Sequence, residues 1–412
     1  MTDDFPAMER REFLRLVAGV AGGAAIAGCE RPARRSAPPE ERSSDVRINR
    51  ITSFQVTGER WKHVGRNAQR GDHGRTATDR VVLLETDGGV DGFGSSFASR
   101  QQASALLGKD PLSFFANGLV ESPLGAGDAP LWDLAGKLLE KPVWELLGAA
   151  GPEWVPVYDG SIYFGDLETG NSSTEVDQLL SEVDHSLERG HRAFKIKVGR
   201  GHRWMEPEAG LARDVEVVQA IRKRVGRDVR LMVDANNGYT PETARRFLDA
   251  AGDEFYFVEE LFPENVEADL ELGAWLREHG WKTLVADGES AREVDHFVPY
   301  IRSAALDVLQ GDIRRFGFSR LVRLSRLAEP AGIRLAPHNW GSVLGLYMQL
   351  VLGRGIPNFL MAEKDPAETE LFSTPGFEFE DGRMRVLAVP GCGLGLPKDV
   401  LSRGVEVSWQ VS

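Results

Sequence analysis

The chain has 412 residues, 42% of them hydrophobic, with a formal net charge of −13 at pH 7. That length and apolar content suffice for two domains or for one barrel with additions, and for a large buried core. The acidic balance argues against a surface built to neutralise nucleic-acid phosphates, while an anionic ligand can still bind wherever a metal supplies local positive charge.

In chain order, Glu9-Arg10-Arg11-Glu12-Phe13-Leu14-Arg15 precedes a Gly/Ala-rich apolar stretch that ends in Ile26-Ala27-Gly28-Cys29. The stretch is too short to span a bilayer comfortably. The paired arginines followed by Phe-Leu resemble a twin-arginine export signal, and Ile-Ala-Gly-Cys resembles a lipoprotein box in which Cys29 becomes the acylated first residue. The expectation is a signal over 1–28, a flexible tether rich in Pro, Arg, Ser and Glu over 29–45, and an exported protein. Such a protein is periplasmic or at the cell surface and touches the membrane only through a lipid on Cys29. An exposed amphipathic N-terminus is the plain alternative. Cys392 is the one other cysteine, so no internal disulfide is expected and the core must hold the fold.

Strand-like patterns follow at 48–56, 80–86 and 90–94, the last two joined by the Asp87-Gly88-Gly89 turn. They predict a small α+β domain over 46–150. The segment 59–78, with His63, Arg66, Arg70, His73 and Arg75 among glycines, reads as a solvated loop or as a substrate-facing flap. A helical pattern covers 131–147, broken at Pro142 and closed by Gly148. From 155 onward strands at 155–158, 193–198, 230–234, 255–260, 283–286, 305–310, 333–336 and 359–363 alternate with helix-patterned segments. That rhythm predicts a (β/α)₈ barrel over 151–365. An open doubly wound sheet is disfavoured because no glycine-rich phosphate fingerprint follows the early strands. The remainder, 366–412, including 383–390 and the PGCGLGLP run, is expected to pack back on the N-terminal domain and complete it.

Barrels of this kind carry their chemistry at the strand C-termini, and the polar residues of this chain gather there. Lys195 and Lys197 (FKIKVG) end strand two, Asp234 (LMVDAN) strand three, Glu259 and Glu260 (FVEE) strand four, and Glu289 (LVADGE) strand five. Asp312 lies just beyond strand six, His338 (APHNW) just beyond seven, and Glu363 at eight. A lone carboxylate at a strand end is usually a helix cap or an ion-pair partner. Three on consecutive strands, flanked by lysines and a histidine, instead suit a Mg²⁺ site with bases beside it. Spacing leaves Glu259 or Glu260, and Glu289 or Asp287, open as ligands. Crowding by Lys195 and a cation would favour a neutral Lys197, the form that can act as a base.

The KxK, DAN, VEE, GE, D-x-x-R-x-G, PHN and final E signatures, spread over 46–399, resemble the enolase superfamily in its mandelate racemase-like branch. The resemblance implies a capping domain over the barrel mouth and a shared step: Mg²⁺ grips a substrate carboxylate, a base removes the α-proton, and an enediolate is stabilised. Lysine or histidine bases acting with Mg²⁺ are the established pattern of that superfamily. By this resemblance Asp234, Glu259 and Glu289 hold the metal, Glu259 preferred because the first acid of the pair ligates in the family. Lys197 is the base on one face, tuned by Lys195, and His338 oriented by Asp312 serves the other. Asp312 stands where muconate-lactonizing and dipeptide-epimerase relatives carry lysine, which points away from cycloisomerase and epimerase readings. Glu363 is expected to be protonated and to donate to the substrate carboxylate, with a rim ion pair as its plain role, and Asn236 to hold a substrate hydroxyl. Phe318 replaces a glycine usual in the strand-six run, and Trp340 follows the His338 motif as a departure. The implied activity is a lyase, an acid-sugar dehydratase. The alternatives are a racemase or epimerase of a 2-hydroxy acid, and a lipid-anchored binding protein without turnover. Specificity is expected from loops at 59–78 and 95–100, and self-association is an option common to capped barrels.

Overall fold

A long antiparallel ribbon opens the structure. Ile48–Val64 pairs with Gly74–Thr86, which pairs in turn with Asp91–Ser95. The computed structural model describes residues 43–167 and 175–412; the signal, Cys29 and most of the tether lie outside them. The ribbon runs further than its sequence pattern predicts, because Arg60 and Lys62 are buried rather than solvated, so only 65–73 remains as a loop. Each finds a carboxylate, Arg60 with Asp365 and Lys62 with Glu182, which is what allows a cation inside a strand to be buried. Two later strands complete this sheet: Ala367–Glu368 and Val407–Val411 both pair with Ile48–Val64.

Helix Ala129–Leu138 packs across Asp91–Ser95, burying Leu131, Trp132, Leu134 and Ala135. The approach is close enough to demand glycine, since a Cβ on Gly92 would lie 2.5 Å from the Leu134 nitrogen and 2.6 Å from the Pro130 oxygen. Pro142 separates this helix from Val143–Leu147, which ends at Gly148 with φ of 131°, a backbone angle that suits glycine.

Among the described residues eight parallel strands then close a barrel: Trp154–Ile162, Ala193–Lys197, Arg230–Asp234, Phe257–Glu259, Leu284–Asp287, Val308–Leu309, Arg334–Leu335 and Ala362–Lys364. Ala362 pairs with Val157 of the first strand, and Leu335 bridges to Phe359, so no edge is left between the seventh and eighth. Period-two alternation sorts the side chains. Phe194, Ile196, Leu231, Val233, Val258 and Val285 belong to the core shared with the helices. Ala193, Met232, Phe257, Ala286 and Val308 form a separate cluster inside the barrel. Lys195 and Lys197 share the parity of Ala193, and Asp234 that of Met232, so all three point inward above the apolar plug.

The C-terminal stretch does two things. The hairpin Phe377–Glu380 and Arg383–Val386 pairs antiparallel with the first barrel strand, placing Arg383 opposite Pro156. Residues 383–386 therefore extend the barrel sheet instead of joining the capping domain as expected, because Met384 and Val386 bury against Val155 and Val157. Beyond them the Cys392 N–H donates to Asp133 Oδ1 at 2.7 Å, and Val407–Val411 joins the capping sheet.

Candidate active site

The register of the barrel builds the site. Lys197 is the Cα partner of Asp234, and Asp234 of Glu259, on adjacent parallel strands. With side chains of one parity, these three form a single inward layer at the C-terminal mouth. One layer below, Lys195 Nζ lies 2.7 Å from Glu259 Oε1, 2.8 Å from Glu363 Oε1 and 3.3 Å from Asp234 Oδ2. Burial by itself favours loss of its proton, but Glu259 and Glu363 hold Lys195 well above the ordinary lysine range, so it is a fixed cation. Lys197 Nζ donates to Asp234 Oδ2 and, at 2.8 Å, to Asn236 Oδ1. Burial pushes Asp234 upward, yet the two lysines outweigh it and keep the carboxyl well below its usual range.

His338 stands after strand seven with both ring nitrogens engaged. Nδ1 is 2.9 Å from Asp312 Oδ2 and Nε2 is 3.2 Å from Glu289 Oε2. Burial would lower its pKa; Glu289 and Asp312 more than offset that and push it up to about 9. The group is an imidazolium at neutral pH. Asp312 is held in place as the N-cap of helix Ile313–Ala328, its Oδ1 accepting from the N–H groups of Arg314 and Arg315 at 2.9 and 3.0 Å. One carboxylate thus caps a helix and orients the histidine.

Four acidic groups meet at the mouth. Glu259 is fully buried, with Lys195 on one oxygen and the Gln310 amide donating to the other at 2.7 Å. Glu260, with φ of 42°, is turned to a cavity of about 210 Å³ that Glu289, Lys197 and His338 also line. Asp287, the alternative to Glu289, follows inward-facing Ala286 and so has the opposite parity. Among the described residues no three acidic, histidine or cysteine side chains are close enough together to hold a metal ion as placed. Lys197 and Lys195 instead engage Asp234, Lys195 engages Glu259, and His338 engages Glu289. The donor chemistry nonetheless fits a hard cation, being carboxylate oxygen throughout. Burial, then Glu289, Asp234 and Glu259 in turn, push Glu260 up to about 9. Burial, opposed by Lys195 and helped by Asp234 and Glu363, pushes Glu259 up to about 8. Carboxyls that raise one another in this way are relieved by a shared positive charge.

Residues 178–400 match the family model described as Enolase C-terminal domain-like. The fold is similar to a galacturonate dehydratase from Geobacillus sp., crystallised with D-galacturonate and 5-keto-4-deoxy-D-galacturonate. The identity is 31% and the TM-score 0.82, over 90% of this chain and 100% of that one. It is similar also to a mandelate racemase/muconate lactonizing protein from Geobacillus sp. Y412MC10 complexed with magnesium/tartrate, at 30% identity and a TM-score of 0.81, over 89% of this chain and 97% of that one. In sequence, the D-galactarolactone cycloisomerase of Agrobacterium fabrum is 30% identical over 287 residues, 64% of this chain and 71% of the relative. The chain belongs to the enolase superfamily. Its place is in the mandelate racemase/muconate-lactonizing branch, and its likeness runs to a cycloisomerase as well as to a dehydratase.

Glu363 accepts on both oxygens, from Lys195 at 2.8 Å and from the Asn339 N–H at 2.8 Å. The Asn236 amide accepts from Lys197 and donates to Glu260 at 3.1 Å. Sequence reading passed over Gln310, whose position at the end of strand six could have flagged it, and Tyr163, whose ring lies 5.1 Å from Lys197 Nζ. An Asp312→Asn variant is expected to lower the His338 pKa from about 9 by about 1 to 3, the usual effect of removing an adjacent opposite charge. Titration of the His338 ring signals by NMR checks this, and an unmoved midpoint would sink the assigned pairing.

Proposed function

We propose that this enolase-superfamily member is a Mg²⁺-dependent acid-sugar dehydratase. The observation that carries the proposal is that Lys197 and the His338–Asp312 pair open on one cavity beside the carboxylate cluster. Likeness to a galacturonate dehydratase over 90% of the chain supports it, as does the magnesium bound in a second relative. Asp234, Glu259 and Glu289 would hold the cation; bound there it supplies positive charge for a substrate carboxylate and for the negative charge left when the α-proton departs.

Lys197 takes the α-proton through Nζ once it has itself lost a proton. Asn236 and Asp234 hold that nitrogen at the lining of the cavity. Lys195 remains a fixed cation beneath it. His338, paired with Asp312 through Nδ1, donates its proton to the β-hydroxyl, which leaves as water. The chain of Asp312 and the helix it caps keeps the imidazole oriented through that transfer. Glu363 fixes Lys195 and the backbone at Asn339.

A second reading, racemisation or epimerisation of a 2-hydroxy acid, is favoured by the presence of proton-transfer groups from two strands on one cavity, where the opposite group would return the proton. A binding protein without turnover has less support, because none of the bases or acids of the site is missing. Export and lipid anchoring through Cys29 is proposed on the Arg10-Arg11 and Ile26-Ala27-Gly28-Cys29 motifs; none of the described helices is long and apolar enough to cross a membrane.

With D-galacturonate and related acid sugars in D₂O, a deoxy-keto product is expected by NMR; deuterium exchange with inverted configuration and an intact skeleton would favour the racemase. Lys197→Ala and His338→Ala should each lower turnover by roughly 10²- to 10⁴-fold, and unchanged activity in both would remove the catalytic claim. Glu259→Gln should weaken Mg²⁺ binding, followed calorimetrically, by more than the roughly 10- to 100-fold typical of a supporting residue, and Glu260→Gln by less. The reverse order would transfer the ligand role to Glu260. Cys29→Ala should move the protein from the membrane to the soluble fraction, and retention in the membrane would sink the anchor.

A further inference from the structure

His73 sits at the end of the 65–73 loop, on the capping side of the cavity, and Trp340 lies two residues past His338. The Trp340 indole Nε1–H donates to His73 Nδ1 at 3.0 Å. An indole nitrogen can only donate, so His73 Nδ1 must be unprotonated and the imidazole neutral, with its proton on Nε2. The surroundings favour that state: burial, then Lys197, Arg60 and Arg70, against Asp365, push the His73 pKa down to about 4.

This bond closes a ring of contacts between the two domains. Arg60 grips Asp365 through Nε at 2.9 Å and Nη2 at 2.7 Å, and its Nη1 donates to the His73 carbonyl at 2.8 Å. Asp365 Oδ2 in turn accepts from the Gly341 N–H at 2.9 Å, next to Trp340. The indole stacks on Tyr163 with centroids 4.7 Å apart, and the Tyr163 ring lies 5.1 Å from Lys197 Nζ. A shift of Trp340 is therefore passed to Tyr163 and so to the base.

We propose that His73 is a positioning residue: by accepting the Trp340 indole N–H it fastens the capping loop to the segment that carries His338 and holds the Trp340–Tyr163 stack as a wall against Lys197. Its effect on turnover rests on the dehydratase reading; the fastening itself does not. His73→Leu removes the acceptor and Trp340→Phe removes the donor, while His73→Asn keeps an acceptor on Cγ. Hydrogen exchange over 65–73, read by mass spectrometry, should quicken roughly fivefold in His73→Leu and in Trp340→Phe, the effect of one neutral hydrogen bond. It should return toward wild type in His73→Asn, and the double variant His73→Leu/Trp340→Phe should exchange no faster than either single one. With D-galacturonate and Mg²⁺, kcat should fall by a similar factor in His73→Leu and recover in His73→Asn, with KM little changed. Equal exchange in the Asn and Leu variants, multiplying effects in the double variant, or altered exchange with kcat unaltered would each overturn the proposal. Absence of wild-type turnover on that sugar acid counts against the dehydratase reading alone, and the exchange comparison then decides the fastening.

Discussion

A lysine ammonium with almost no contact with water is the constraint around which the barrel mouth is arranged. Lys195 is 1% exposed, and an ion so placed must be matched by carboxylates or it will give up its charge. Glu259, Glu363 and Asp234 match it, and each comes from a different strand. The strands at that height are therefore held together by charge as well as by the backbone ladder. Removing any one carboxylate leaves the others to compensate a buried cation, so the carboxylates proposed to hold the metal also tie the strands together at the mouth.

The same economy of charge joins the domains. Arg60 reaches Asp365 across 305 positions of sequence, and Lys62 reaches Glu182 across 120. Both cations lie on a capping strand and both acids on barrel segments. Asp79, fully buried, caps the segment after the seventh strand by accepting from the N–H groups of Val343 and Leu344 at 2.8 and 3.1 Å. These contacts set the capping sheet over the C-terminal mouth, where the 65–73 loop of one domain and Lys197 and His338 of the other share a cavity. Buried pairs of this kind hold a specific geometry at a cost in desolvation, which suits an interface that must be placed accurately more than one that must merely be stable.

Much of this was legible along the chain. Alternation of apolar strands with helical stretches announced the barrel, and the spacing of Asp234, Glu259 and Glu289 announced a carboxylate cluster at its mouth. The limits of legibility are local. Arg60 and Lys62 look like loop residues because a charged side chain reads as solvated until its partner is known, and those partners lie far away in sequence. Residues 383–386 looked like part of the capping domain because the barrel strand their apolar side chains match lies more than two hundred positions earlier.

What the sequence determined by itself was periodicity: which residues are strands, which face of each strand is inward, and hence that Lys195, Lys197, Asp234 and Glu259 line one interior. Parity is a property of the backbone, and it survives without knowledge of neighbours. Tertiary structure alone decided where side chains go once a strand has ended. The positive φ at Glu260 turns that carboxyl into the cavity, Glu289 meets His338, and His73 meets Trp340, because beyond the last ladder bond direction is set by contacts between segments that are distant in the chain.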